Sequence, residues 1–176
     1  MDFTGAHLRR NGERIFVRTL EIVDATERYA SWLNDPEVNR FLATKSATVG
    51  ELRDYIAKKD AQTDALYFGI FLKENDLHIG TVKLEPIDLT GKKATIAIML
   101  GDKTYWGKGL AGEAMKLLIN YCFETLGIEE VNLGVVAQNT SAIRSYEKLG
   151  FREVKRDFAY VTYGDEIHDQ VWMTLK

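Results

Sequence analysis

Apolar positions along the chain recur either every three to four residues or in short β-type runs, and the two periods divide it into helices and strands. RIFVRTL, from Arg14 to Leu20, reads as a first strand. DATERYASWLNDPEV follows, with Asp24 as the expected N-cap, Tyr29, Trp32 and Leu33 on one helical face, and Asn34-Asp35-Pro36 as the stop. A second amphipathic helix covers Val49 to Lys59, with Leu52, Tyr55 and Ile56 inward. ALYFGIFLK, LHIGTVKLEPI and KATIAIML, separated by Glu74-Asn75-Asp76 and Thr90-Gly91-Lys92, predict an antiparallel meander. From Gly107 to Leu126 the period is helical again, with Leu110, Ala114, Leu117, Leu118, Tyr121 and Cys122 as its stripe and Gly127 as C-cap. VNLGVV is then a buried strand, and Asn139 opens a helix carrying Ala142, Ile143, Tyr146 and Leu149 that ends at Gly150. Two final strands, Phe151 to Thr162 and Glu166 to Leu175, turn at Tyr163-Gly164-Asp165. The order predicts an α/β (α+β) fold, a mixed, mostly antiparallel sheet of about seven strands with about four helices on its faces.

Composition narrows the function classes. The 176 residues suit one domain, 1–176, with a well-packed core, since 45% are hydrophobic, 11% aromatic and only two are proline. A net charge of −3 supplies no basic field for a nucleic-acid backbone. No apolar stretch approaches the roughly 20 residues of a membrane helix, and the N-terminus has no apolar signal core. Cys122 is the single cysteine, so no intrachain disulfide forms, and a reducing, cytoplasmic setting without membrane attachment is expected. The oligomeric state is not legible in the chain; two-fold dimers are the commonest assembly among soluble oligomers, which makes a homodimer the first candidate.

YWGKGLAGEAM, at 105–115, puts Gly107, Gly109 and Gly112 in the G-x-G-x-x-G register of dinucleotide sites. The surroundings argue against that reading and leave a dinucleotide oxidoreductase as a weak third reading. A dinucleotide fold starts its loop directly after the strand and holds the ribose with an acid at the end of the next strand. Here Gly101 to Trp106 intervene, and VNLGVV runs into Ala137-Gln138-Asn139. The Lys-Ser/Thr pattern of a Walker loop is also missing. What remains is an anion site: small residues let the backbone approach, and amides opening a helix point at a phosphate, with Lys108 at hand. The bland alternative is a tight strand-to-helix turn.

NTSAIRSYEKLGF adds a second motif, with Asn139 and Tyr146 two helical turns apart and roughly 10 Å along one side. With this stretch the chain resembles, over essentially its whole length, the GNAT acetyltransferase superfamily. The loop pattern of that family is Arg or Gln, two residues, Gly, one residue, then Gly or Ala; here Trp106-Gly107-Lys108-Gly109-Leu110-Ala111 matches at the last two positions. Trp106 replaces the Arg or Gln, as in the branch of ribosomal-protein N-terminal acetyltransferases and their spermidine and amino-sugar relatives, and YWGKG and WLNDPEV are similar to that branch. The resemblance implies acetyl-CoA as co-substrate, its pyrophosphate cradled by the amides of Trp106, Gly107, Lys108, Gly109, Leu110 and Ala111. It implies that Met99, Leu100 and Gly101 pair with the pantetheine arm, that Asn139 bonds near the arm, and that Tyr146 stands beside the sulfur.

With Tyr146 beside the sulfur, as the resemblance implies, the chemistry suits it as general acid; the alternative is a core tyrosine on an apolar helix face. Amine attack on the thioester develops an oxyanion, which an N–H near Leu100 can stabilise, and then expels a thiolate. A phenol with a pKa near 10 keeps its proton at neutral pH and can supply it as general acid. A general base is harder to place, because Ala94-Thr95-Ile96-Ala97 lacks the glutamate that family members often carry on this strand. Asp102, His168, Glu85 or a water relay are the substitutes. Cys122, in an apolar stripe, reads as a buried hydrophobe rather than a nucleophile. His7, His78 and His168 have no metal-ligand spacing, so no metal is expected.

The resemblance implies an acceptor pocket between the first two helices and the last hairpin, with Trp32, Asn34, Asp35, Phe41, Tyr160, His168 and Trp172 as candidates; for most of them the plainer reading is preferred, Trp32 as core, Asn34-Asp35-Pro36 as a helix stop and Trp172 as sheet packing. The acceptor is a small-molecule amine, such as a polyamine or amino-sugar nucleotide, or a protein N-terminus. A non-catalytic acyl-CoA-binding sensor or interaction module is the alternative, favoured by the missing glutamate and opposed by Tyr146.

Overall fold

The computed structural model describes residues 2–163 and 166–176. Gly164 and Asp165, in the expected last turn, lie outside them. Among the described residues eight strands form one sheet in the order β1-β2-β3-β4-β5-β6-β8-β7. They are β1 (Arg9–Asn11), β2 (Ile15–Thr19), β3 (Leu66–Leu72), β4 (His78–Asp88), β5 (Lys93–Leu100), β6 (Glu130–Val136), β7 (Arg152–Tyr163) and β8 (Glu166–Leu175). The helices are α1 (Glu27–Asn34), α2 (Val49–Asp60), α3 (Leu110–Asn120) and α4 (Thr140–Lys148). Every neighbouring pair is antiparallel except β5 and β6. The mixed α/β reading holds; the additional strand is β1, a polar three-residue edge with no apolar period to betray it.

Alternation on β2 to β5 serves two cores. Val17, Phe68, Ile70, Val82, Leu84 and Ile96 face α3, whose Leu110, Ala114, Met115 and Leu118 they meet. On the opposite face, Phe16 and Phe71 pack with Tyr29, Trp32 and Leu33 of α1 and Leu52 and Ile56 of α2. At eight residues α1 is too short to persist alone, and its buried aromatic face is what holds it.

Two helix starts differ from expectation. Thr26, not Asp24, caps α1 by accepting the Tyr29 amide at 3.2 Å. Asp24 is committed elsewhere, bound by both terminal nitrogens of Arg18 at 2.6 and 2.7 Å. The glycine-rich segment stays outside α3, because Gly107 and Gly109 have φ of 73° and 78°, in the left-handed region. After Asn120 the helix widens into one π turn, Tyr121–Thr125, before Gly127 at φ 67°.

Candidate active site

The geometry that matters begins where β5 and β6 part. Their parallel pairing covers only Lys93, Ala94 and Thr95 against Glu130, Val131 and Asn132, although β5 runs on to Leu100 and β6 to Val136. Beyond Thr95 a wedge opens. The Gly101 amide donates to the Ile79 carbonyl at 3.0 Å, and Leu100 sits opposite Gly80. Alternation along an antiparallel ladder therefore turns the peptide groups of Met99 and Ala97 toward β4 and those of Ile98 and Leu100 into the wedge. Of the three strand-end residues expected at the arm, Leu100 alone turns its peptide group into the wedge. Gly101 is occupied by Ile79, and Met99 offers its side chain to the opposite face of the sheet.

The loop closes the wide end of the wedge. No carbonyl or side chain among the described residues accepts the amides of Gly107, Lys108, Gly109, Leu110 or Ala111. These are the donors left over at a helix start. Trp106 departs from expectation: its amide is spent on the Lys103 carbonyl at 3.1 Å in a 3-10 turn, Lys103–Tyr105. Its indole instead donates to the Leu100 carbonyl at 2.7 Å, tying the loop to the strand end. A side chain at Gly112 would meet nothing within 4 Å, so the third glycine of the apparent dinucleotide register has no packing duty.

A distant pair holds the loop in place. Arg14 donates to the Lys108 carbonyl at 2.8 Å and to Glu113 Oε2 at 3.0 Å, while Glu113 Oε1 accepts the Arg14 amide at 2.9 Å. Burial opposes the charge of Glu113, but these bonds outweigh it and hold its carboxyl below the usual range. Lys108 lies over the Tyr105 ring at 5.1 Å, beside the unpaired amides.

Tyr146 projects from α4 into the core edge, its ring 6.1 Å from that of Phe151. Burial alone pushes its phenol up to about 12, and no hydrogen bond from the described residues ties its hydroxyl. Asn139 is the N-cap of α4, its carbonyl oxygen accepting the Ala142 amide at 3.4 Å and the Ser141 hydroxyl at 3.2 Å. Its demonstrable duty is thus to start the helix that carries Tyr146.

A cavity of about 420 Å³ lies on the α1–α2 face, between those helices, the segment joining them and the sheet. Its floor follows cross-strand rows, Tyr67–Lys83–Ala97 and Thr81–Met99. The Tyr29 and Tyr67 hydroxyls bond to each other, and burial raises both phenols, Tyr29 to about 12, so the wall is neutral. The acceptor candidates read from the sequence lie elsewhere. Trp32 packs against the Cα of Gly101, Asn34 bonds the carbonyls of Ala30 and Ala47, and Asp35 pairs with Lys103 at 2.7 Å. Phe41 leans on His168, while Trp172 contacts Tyr160 and donates to Asp157 at 2.8 Å.

Residues 14–152 match the family described as acetyltransferase (GNAT) domain. The chain belongs to the GNAT acetyltransferase family. It is 34% identical over 145 residues, 80% of each chain, to the uncharacterized N-acetyltransferase p20 of Bacillus licheniformis. A shorter match, 39% over 72 residues, joins 41% of it to 38% of the spermidine N(1)-acetyltransferase of Escherichia coli strain K12. In fold it resembles the spermidine N-acetyltransferase of Vibrio cholerae, solved with CoA and spermine, with a TM-score of 0.83 at 21% identity over 92% of this chain and 95% of that one.

As a GNAT enzyme it acts as an N-acetyltransferase, and the residues present fit acetyl-CoA: unaccepted amides for a diphosphate, two left-handed glycines and a parted pair of strands. Among the described residues no group of His, Cys, Asp or Glu could hold a metal ion. The base candidates are engaged. Burial opposes ionisation of Glu85, but Lys59 and Lys83 overcome it and hold its carboxyl at about 2, a very weak base. Asp102 is bound to Arg28 and takes the Thr104 amide at 3.0 Å, and His168 lies buried on β8, 3.3 Å from Glu166. Cys122 is fully buried, its thiol pushed to about 12 by desolvation, as expected of a small core residue.

Arg14→Ala or Glu113→Ala is expected to raise the KM for acetyl-CoA about tenfold with kcat nearly unchanged, in steady-state thiol-release assays. An unaltered KM would detach this pair from the loop.

Proposed function

We propose that this GNAT protein, acting as one domain over residues 1–176, moves an acetyl group from acetyl-CoA to a primary amine by direct attack. The row of unaccepted amides from Gly107 to Ala111 carries this reading. They hold the diphosphate with charge-assisted bonds, reinforced by the α3 N-terminus, whose dipole contributes about 0.3–1 kcal/mol. The co-substrate supplies an activated thioester. The cleft-facing peptide groups of Ile98 and Leu100 align the arm, and the Leu100 N–H faces the developing oxyanion. Tyr146 holds the proton that the departing sulfur takes, and Asn139 fixes the helix that positions it. With Glu85 and Asp102 committed to cations, a water relay removes the proton of the attacking amine.

The acceptor occupies the α1–α2 cavity. It is a small-molecule amine, in the company of the spermidine acetyltransferases this chain resembles, or a protein N-terminus. The single cysteine, buried and with no second cysteine for an intrachain disulfide, suits a cytoplasmic setting. Release of free thiol from acetyl-CoA, measured against polyamines, amino-sugar nucleotides, N-terminal peptides and amino acids, tests the reading. Amine-dependent release supports it. Coenzyme A binding with no release under any amine would instead support an acyl-CoA sensor.

A further inference from the structure

Charge in the acceptor cavity is sparse and unevenly placed. Among the described residues its lining carries one ammonium, Lys83, and one carboxylate, Glu51. Glu51 stands exposed at the start of α2, its Oε2 taking the Thr48 amide at 2.7 Å and the Thr48 hydroxyl at 2.9 Å. Its capping duty and its exposure leave it a poor partner for a buried cation. Lys83 rises from the floor with its side chain 32% exposed and its Nζ 3.0 Å from Glu85 Oε2. Glu85 is shared with Lys59, so one carboxylate serves two ammonium groups and this corner of the floor keeps a net positive charge. Three donors sit on each ammonium; on Lys83 Glu85 takes one and the Tyr55 hydroxyl engages another, which leaves one for a ligand.

The neighbours of Lys83 leave space for a ligand. Register sets it opposite Ala97, whose methyl leaves the floor open, and Met99 lies two positions further along β5 toward the wedge. That step is about 7 Å. A polyamine lying here would bring a second ammonium against Lys83, where among the described lining residues no free buried carboxylate receives it, and the new charge would lose water without a partner.

We propose that the acceptor is an amine whose apolar stem crosses Met99 and Ala97 and ends in one anionic group, a carboxylate or a phosphate, bound by Lys83. The inference rests on reading this cavity as the acceptor site, and it takes polycations off the list of good acceptors.

Calorimetric titration of the CoA-loaded protein tests it with four amines of similar length: ε-aminocaproate, aminohexyl phosphate, hexylamine and hexamethylenediamine. At least one of the two acids is expected to bind about tenfold or more tightly than hexylamine, with the diamine weakest. The tighter acid names the anionic group. Lys83→Met should erase that preference and Lys83→Arg should keep it, with thermal unfolding showing that both variants are folded. If Lys83→Met does not fold, the wild-type ratios still decide. A diamine that binds as well as both acids, or a preference that survives Lys83→Met, overturns the proposal. Acetyl transfer to the same amines separates the two readings. Selective binding of an acid that is never acetylated would remove the cavity from the reaction while Lys83 stays an anion site. Efficient acetylation of the diamine with no preference for the acids would leave the transferase intact and sink this inference alone.

Discussion

Tyr146→Phe is expected to lower kcat by about 10²–10⁴ while leaving coenzyme A affinity nearly unchanged. The ring stays, so the packing against Phe151 survives, and only the hydroxyl is lost. Without it the thiolate must depart unprotonated or take its proton from water. A general acid works only while it holds its proton, so activity that depends on it falls as pH rises through its pKa. Burial raises that phenol from 10 to about 12, so the alkaline limb of kcat due to this group should lie above the range of an ordinary tyrosine. A mutant with wild-type kcat, and the same alkaline limb, would take Tyr146 out of the reaction.

Gly109→Val should weaken coenzyme A binding by at least about 100-fold. Gly109 is the N-cap of α3 at φ 78°, and the nearest atom to an added Cβ is an Arg14 nitrogen at 3.6 Å, so space is not the obstacle. The obstacle is backbone conformation. A β-branched residue is strained there by about 1–2 kcal/mol. Relieving that strain would rotate the Gly109 and Leu110 amides away from the anion, each such bond contributing about 1.5–3 kcal/mol. Gly112→Ala provides the contrast, since nothing crowds that position and its backbone is ordinary helix. It should bind like the wild type. Calorimetry on the two variants measures the difference, and equal affinities would show that the left-handed turn is not what presents the amides.

The elements that could be read from the chain were those whose own residues set the period. The stripe of α3, the stop at Gly150 and the β3–β4–β5 meander follow from apolar spacing and turn residues that act over a few positions. The left-handed glycines and free amides of the loop were legible for the same reason, because φ and helix-start amides are local properties. Features set by partners far along the chain were not. Arg14 and Glu113 meet across 99 positions, and neither motif marks them as a pair. Asp24 looked like a cap until Arg18 claimed both its oxygens. The resemblance counted the Trp106 amide in the cradle, and the one-turn 3-10 segment that claims it leaves no periodic trace. Lys83 was missed although Thr81, Lys83 and Glu85 alternate with buried Val82 and Leu84. That alternation shows a polar sheet face, but only the placement of α1 and α2 makes it the floor of a cavity.

Determining the structure of the protein crystallised with coenzyme A bears most directly on the central claim. The diphosphate oxygens should lie about 3 Å from the amides of Gly107 to Ala111, with the arm in the wedge beyond Thr95 and the sulfur beside the Tyr146 hydroxyl. A diphosphate bound anywhere else, or a wedge filled by the protein's own side chains, would contradict it.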